Sequence, residues 1–314
     1  MAEPRRLGNS GLLTPPLILG GNVFGWTADE GTSFDVLDRF VDAGGTMIDT
    51  ADVYSAWAPG HRGGESEAVI GAWLARRGRR DDVAVATKVG MMDGGLSAAA
   101  IERAIDASLM RLRTEYVDLY YAHKDDPQTP WEETLGAFDR LVRAGKVRAL
   151  GASQIDAGRL AEALDVSARE GWTGYSVLQT WYSLVERPRF EGPLQQLAID
   201  RGLGVATFFS LANGYLTGKY RSPADLSKSV RGDRAAPYLD GNGPRILAAL
   251  DEVAADLGAT PAQVALAWTA AQPGVTAPLA SATSLSQLED LLGCLRLTLR
   301  PDQMARLDAA SRAD

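Results

Sequence analysis

The chain has 314 residues, 46% of them hydrophobic, enough to bury a large core as either two ordinary domains or one large α/β barrel. Forty acidic against 32 basic residues leave a net charge of −8, which argues against a phosphate-reading surface for nucleic acid or an anionic membrane and points to a small-molecule partner. One cysteine, Cys294, set in the apolar pattern LEDLLGCLRL, excludes an intrachain disulfide framework and a cysteine-based zinc site, so we expect a small buried side chain there and no metal.

In chain order, MAEPRRLGNS lacks the apolar stretch of a signal peptide, and no window approaches 18 uninterrupted apolar residues, so a reducing, cytoplasmic location is expected. RRLGNSGLLTPPLIL reads as a hairpin that turns at Asn9-Ser10-Gly11, stacks beneath the barrel and leads into its first strand. Eight short runs rich in Val, Ile, Leu and Tyr then recur between stretches of helical spacing: PLILGG, TMIDT, DVAVATKV, VDLYYAH, VRALGAS, YSVLQTW, LGVATFF and GVTAPLA. The first seven begin roughly 28 to 36 residues apart, the size of a βα unit. The expected fold is α/β, a (β/α)8 TIM barrel with an N-terminal β-hairpin and extra helices, forming a single domain over residues 1–314.

Between the runs, Phe34, Leu37 and Val41 predict one helix face, and Ile101, Ile105, Leu109 and Leu112 another. Capping boxes are expected at Thr129 to Glu132, Thr260 to Gln263 and Ser284 to Gln287, the first two with proline at the first helical position. Gly145, Gly171, Gly202 and Gly258 stand where helices should stop. The seventh interval is the long one, because SLANGYLTGKYRSPADLSKSVRGDRAAPYLDGNG precedes the next helical pattern. A long Gly-, Lys- and Arg-bearing segment near a strand end, residues 210–243, suggests a lid over something anionic.

In a parallel barrel the active site lies at the C-terminal ends of the strands. The second run gives Asp49 and then Tyr54, the third Lys88, the fourth His123; later runs give Ser153 and Gln154, Gln179, Phe208, and Ser281 with Thr283. Ionisable groups thus fall on one side of the mouth, amides, hydroxyls and a ring on the other. Tyrosine, with a pKa of about 10, needs a nearby cation to ionise readily. Lys88 is placed to supply it, Asp49 to pair with Lys88, and His123 to share the proton or bond a substrate oxygen. Singly, each has a plainer reading: Asp49 as a loop cap, Lys88 as a solvated strand end, His123 as a structural hydrogen bond, Tyr54 as packing. Three successive strand ends together favour a proton donor facing a carbonyl.

The segments MIDTADVYS, ATKVG, YYAHKDDPQTPWEET, GAS, VLQTWYSLVER and SLANGYLTGKY resemble the aldo-keto reductase family, in order and over essentially the whole chain. That resemblance implies a barrel that binds a nicotinamide cofactor without a Rossmann domain and passes hydride to an aldehyde or ketone. The lack of G-x-G-x-x-G after a strand agrees with it; GGNVFG has the wrong spacing. It further implies Tyr54 as proton donor with its pKa lowered by Lys88, Asp49 paired with Lys88, and His123 at the carbonyl. The nicotinamide amide would meet Ser153, Gln154 and Gln179, with Phe208 stacked on the ring and Phe209 beside it. Ser210, Leu211, Gly214 and Lys219 match the cofactor-covering loop that holds the diphosphate, with Arg231 a possible further clamp, and Ser281, Thr283 and Gln287 match the remaining nucleotide contacts. Where the family has a basic residue this chain has Thr283, and Leu291 replaces an expected asparagine, so NADPH is the expectation and NADH its rival. Phe24, Trp26 and Trp57 are expected to line an apolar pocket for a small-molecule carbonyl substrate, Trp181 divides evenly between pocket and core, and His61 is expected in a loop. Two competing functions are a Schiff-base aldolase using Lys88 and a cofactor-holding regulatory module with little turnover.

Overall fold

A computed structural model describes residues 3–312. Near its start, Arg5–Arg6 (β1) and Leu13–Thr14 (β2) pair antiparallel, and the turn between them is tied by Ser10, whose hydroxyl donates to the Leu7 carbonyl at 2.6 Å and accepts from the Leu12 amide at 3.1 Å. Leu7, fully buried, joins Ile18, Met47, Leu119, Tyr121 and Val177 in one cluster and closes the lower end of the barrel. Gly8 (φ +57°) lies so close to the next layer that a Cβ would overlap the Gly204 amide nitrogen, so only glycine lets the hairpin seat.

The eight apolar runs form eight strands: Ile18–Gly20 (β3), Met47–Asp49 (β4), Ala84–Val89 (β5), Val117–Ala122 (β6), Val147–Ser153 (β7), Val177–Trp181 (β8), Gly204–Phe208 (β9) and Ala277–Ala280 (β10). Each pairs parallel with its neighbours, and β10 lies between β9 and β3, closing the barrel. Both faces of these strands are covered, one by the barrel interior and one by helices, which is why they read as continuous apolar runs. Register brings Gly20 beside Asp49 and Ser153 beside Gln179, so the polar residues that end the runs share one rim.

The surrounding helices mostly follow the apolar spacing. In Glu30–Asp42 (α1), capped by the Asp29 carboxylate on the Thr32 amide, the buried face is Val36, Leu37 and Phe40. Phe34 and Val41 are only partly buried, because the face turns one residue from the expected stripe and Arg76 covers the Phe34 ring. Ile101, Ile105 and Leu112 are buried in the helix Ala98–Leu112, with Leu109 at the margin. The capping box at Thr260 and Gln263 opens the helix Pro261–Ala270 as expected. Ser284 caps the helix Leu285–Leu292, but the Gln287 side chain accepts from Thr283 instead of closing a box. At the helix Trp131–Arg143 the expectation fails: Pro130 is the cap residue, and Thr129 turns its hydroxyl to Asp126. Glycines 145, 171, 202 and 258 all take positive φ at or just beyond helix ends.

The segment 210–243 is ordered into three short 3-10 helices, Ala212–Thr217, Pro223–Lys228 and Gly232–Tyr238. It is pinned by Tyr220 to Ser229 (2.6 Å) and by a two-pronged Arg221 pair with Asp251 (2.7 and 2.8 Å). Extra helices come after it as expected, Gly243–Leu257 and Pro301–Ser311, which pack on each other. Cys294 is buried, and burial pushes its thiol up to about 12. Among the described residues no helix is long and apolar enough to cross a membrane.

Candidate active site

Asp49 ends β4 and is 2% exposed. A lone carboxylate at such depth is costly, and the next strand supplies its partner. Lys88 Nζ, fully buried, donates to Asp49 Oδ2 (2.6 Å), to the Thr50 carbonyl (2.7 Å) and to the Tyr54 hydroxyl oxygen (3.1 Å). Burial alone would depress the Lys88 pKa, but Asp49 and Tyr54 outweigh it and hold the ammonium above its ordinary value. Burial pushes the Asp49 carboxyl up, against the opposing pull of Lys88 and of Gln179, whose Nε2 donates to Oδ1 at 2.8 Å. The second acid of the stretch has a different fate. Asp52 is buried behind the loop, and burial, with Glu67 next, pushes its carboxyl up to about 7.

The loop that returns Tyr54 over the mouth is fixed by Glu65, whose carboxylate accepts from the amides of Ser55 (3.2 Å), Arg62 (2.8 Å) and Gly63 (3.0 Å). His61 Nδ1 meets Ser55 Oγ at 2.9 Å within that loop and takes no place at the rim. Since Lys88 donates to the Tyr54 oxygen, the phenol's own proton is free to point elsewhere. Sequence reasoning expects Lys88 to lower the phenol's pKa; the net effect is the reverse, because burial, reinforced by Asp49, raises it and Lys88 only opposes the rise. The group is therefore a neutral acid at neutral pH. His123 stands edge-on to it, ring centres 5.8 Å apart, and burial, then the charge of Lys88, pulls the imidazole well below its ordinary value. It is a neutral ring whose Nδ1 is buried with no partner.

A cavity of about 440 Å³ opens from Asp49 and Tyr54 and runs beneath the segment 210–243 to β10. Phe208, Phe209, Ser210, Leu211, Gly214 and Lys219 line its middle, and Ser281, Thr283 and Gln287 its far end, together with Asp290 and Leu291. Ser153 lies buried next to Gln179 with its hydroxyl unpartnered. Gln154 departs from expectation: it is exposed, takes φ +48° and donates its amide to the His123 carbonyl at 3.1 Å, bracing two strand ends. Gln179 is engaged by Asp49 as described.

The expected aromatic pocket divides. Trp57 packs edge-on against Tyr54 (5.7 Å) and, on its other side, against Trp26 (5.5 Å), so Trp57 sits beside the phenol and Trp26 behind it, neither of them lining the cavity itself. Phe24 is a correction: it is fully buried in the core and lines no part of the cavity, because the turn from Gly21 folds its ring inward. Trp181 packs on Phe208 and Phe209 (5.1 and 4.3 Å) under the Arg189 guanidinium. Gly20 and Asn22 were missed. Asn22 accepts from Ser281 across the strand 3-to-10 seam at 2.8 Å, and a Cβ on Gly20 would crowd that serine. Reading strand ends from the first run, in ILGGN, would have found them.

A closed parallel barrel with a buried lysine bridging an aspartate and a tyrosine at its mouth, beside a neutral histidine, sets a cluster of acid–base groups at one end of a long cavity. The profile of the Aldo/keto reductase family matches residues 16–312. Across 315 aligned residues the chain is 36% identical to the uncharacterized oxidoreductase YrpG of Bacillus subtilis (strain 168), covering 96% of this chain and 94% of the relative. It is 33% identical to a probable voltage-gated potassium channel subunit beta of Oryza sativa subsp. japonica (97% and 95% covered) and 32% to aldo-keto reductase str7 of Strobilurus tenacellus (90% and 82%). The chain belongs to the aldo/keto reductase family, and so to the NAD(P)H-dependent oxidoreductases acting on carbonyl groups.

Proposed function

We propose that the protein reduces aldehydes or ketones to alcohols with Tyr54 as the proton donor. The observation that carries this reading is the Lys88 ammonium, bound at once to Asp49, Thr50 and the Tyr54 oxygen at the mouth of the cavity. It leaves the phenol proton available and stabilises the phenolate once the proton has moved to a carbonyl oxygen. His123, held neutral, bonds and orients that oxygen. When bound, the reduced nicotinamide supplies hydride to the carbonyl carbon.

The chain's residues fit such a cofactor. Ser153 offers a buried, unpartnered hydroxyl to the carboxamide, Phe208 a ring at the strand end, and the turn of Ser210, Leu211 and Gly214 a wall for the diphosphate, with the Gly214 amide already spent on the Leu211 carbonyl. Lys219, without a carboxylate partner among the described residues, adds a cation there, and the segment 210–243 acts as the covering lid of a single-domain barrel. Gln154 and Gln179 contribute by holding His123 and Asp49. The far end, Ser281, Thr283, Gln287, Asp290 and Leu291, contains no arginine or lysine. NADPH is the family's expectation, but a 2′-phosphate would find no cation at this end, so NADH should serve at least as well. A single buried cysteine suits a cytoplasmic place of work.

A Schiff-base role for Lys88 is disfavoured, since an amine held protonated by two partners is a poor nucleophile. The cofactor-holding module with little turnover remains the second reading, favoured by the likeness to a potassium channel subunit beta. Side-by-side oxidation of NADPH and NADH with aromatic aldehydes and small dicarbonyls tests both. Turnover with either supports the reductase; tight binding of both without turnover would sink it in favour of the module.

A further inference from the structure

We propose that Arg231 selects carbonyl substrates bearing a carboxylate, gripping that group beside Tyr54; this rests on the reductase reading above. Arg231 lines the same cavity as Asp49 and Tyr54. Its guanidinium lies over the ring of Trp26, 5.0 Å from the centre, and Trp26 leads through Trp57 to the phenol. Its Nη2 is shielded from solvent and has no hydrogen-bond partner. The chain pairs its arginines freely elsewhere: Arg80 with Asp118, Arg111 with Glu67, Arg159 with Asp125 and Arg221 with Asp251. For Arg231 no carboxylate partner occurs among the described residues, and the charged or titratable groups that act on it are Arg234, Tyr220 and Tyr54.

An arginine always carries its charge, and burying part of it without an anion leaves donors unsatisfied. The planar fork matches a carboxylate in two parallel hydrogen bonds. Diphosphate is the other anion within reach of this cavity, but Lys219 and the Ser210 to Gly214 turn already face that stretch. Arg231 instead stands over Trp26, behind the Trp57 that flanks the proton donor, and its charge acts on Tyr54, so it faces the substrate's side of the cavity rather than the nucleotide's.

The test compares 4-formylbenzoate with its neutral amide, 4-formylbenzamide, in the parent enzyme, Arg231→Gln and Arg231→Lys, with NADPH and NADH dissociation constants measured alongside. The parent is expected to favour the carboxylate in kcat/KM by roughly ten- to hundredfold, mostly through KM, Arg231→Gln to erase that ratio, and Arg231→Lys to restore part of it. A parent ratio at or below one, or a ratio that survives Arg231→Gln, overturns the proposal while the turnover itself upholds the reductase reading. A cofactor constant that weakens about tenfold while the ratio stands would also overturn it, making Arg231 a diphosphate clamp. Should neither aldehyde turn over, the reductase reading fails separately, and tryptophan quenching decides the anion site. Quenching by 4-formylbenzoate that Arg231→Gln abolishes supports it; equal quenching by acid and amide overturns it.

Discussion

Lys88→Met removes the ammonium and keeps a side chain of similar length. Asp49, 2% exposed, then retains only the 2.8 Å bond from Gln179. Two unit charges with centres about 4 Å apart attract by about 4 kcal/mol at an effective dielectric of about 20, and stranding one member of a buried pair costs about 3–5 kcal/mol. The stranded carboxylate can escape by binding a proton, which caps the loss. Lifting a carboxyl from an unfolded pKa of about 3.9 to neutrality at pH 7 costs about 4 kcal/mol. A carboxyl whose folded pKa exceeds its unfolded value contributes full stability below the unfolded value and loses it as pH rises toward the folded one. Lys88→Met should therefore match the Asp49→Asn/Lys88→Met double variant near pH 4 and fall behind it progressively, by about 3–4 kcal/mol near pH 7. Urea unfolding followed by tryptophan fluorescence across that range measures the gap. A gap that does not change with pH, or a single variant as stable as the double near neutrality, would refute the buried anion held by Lys88.

Because His123 is pulled well below its ordinary pKa and the Tyr54 phenol is pushed above its own, kcat/KM should stay level from about pH 6 to 8 and fall only in alkali. An acidic limb near pH 6.5 that disappears in His123→Asn would contradict the neutral imidazole. At the other end of the barrel, Gly8→Ala should destabilise by about 3 kcal/mol or more, since its Cβ meets the Gly204 amide at a positive φ. Thermal unfolding at the parent midpoint would show the seat of the hairpin to be looser than described.

The barrel was legible because parallel strands covered on both faces write themselves as apolar runs, and Val147 to Ser153 became a strand from end to end. The juxtaposition of Asp49, Lys88 and Tyr54 was legible for the same reason: strand order and the shared rim bring successive run ends together. What lay beyond reading depends on contacts remote in sequence. Gln179 reaches Asp49 across 130 positions. The order in 210–243 rests on partners such as Asp251, with no periodicity to betray it. Phe24 looked like a pocket residue by its place after a strand, whereas a tight turn sends it into the core. Lys88 does pull the Tyr54 pKa down, as read; that burial outweighs the lysine and leaves the phenol raised was not legible, because depth of burial is a property of the fold.

Tyr54→Phe tests the central claim most directly, since it deletes the phenol oxygen bound by Lys88 and little else. The account predicts that kcat/KM for carbonyl reduction falls by about 10²- to 10⁴-fold while the nicotinamide dissociation constant stays within about twofold. Near-parent turnover in that variant would contradict it.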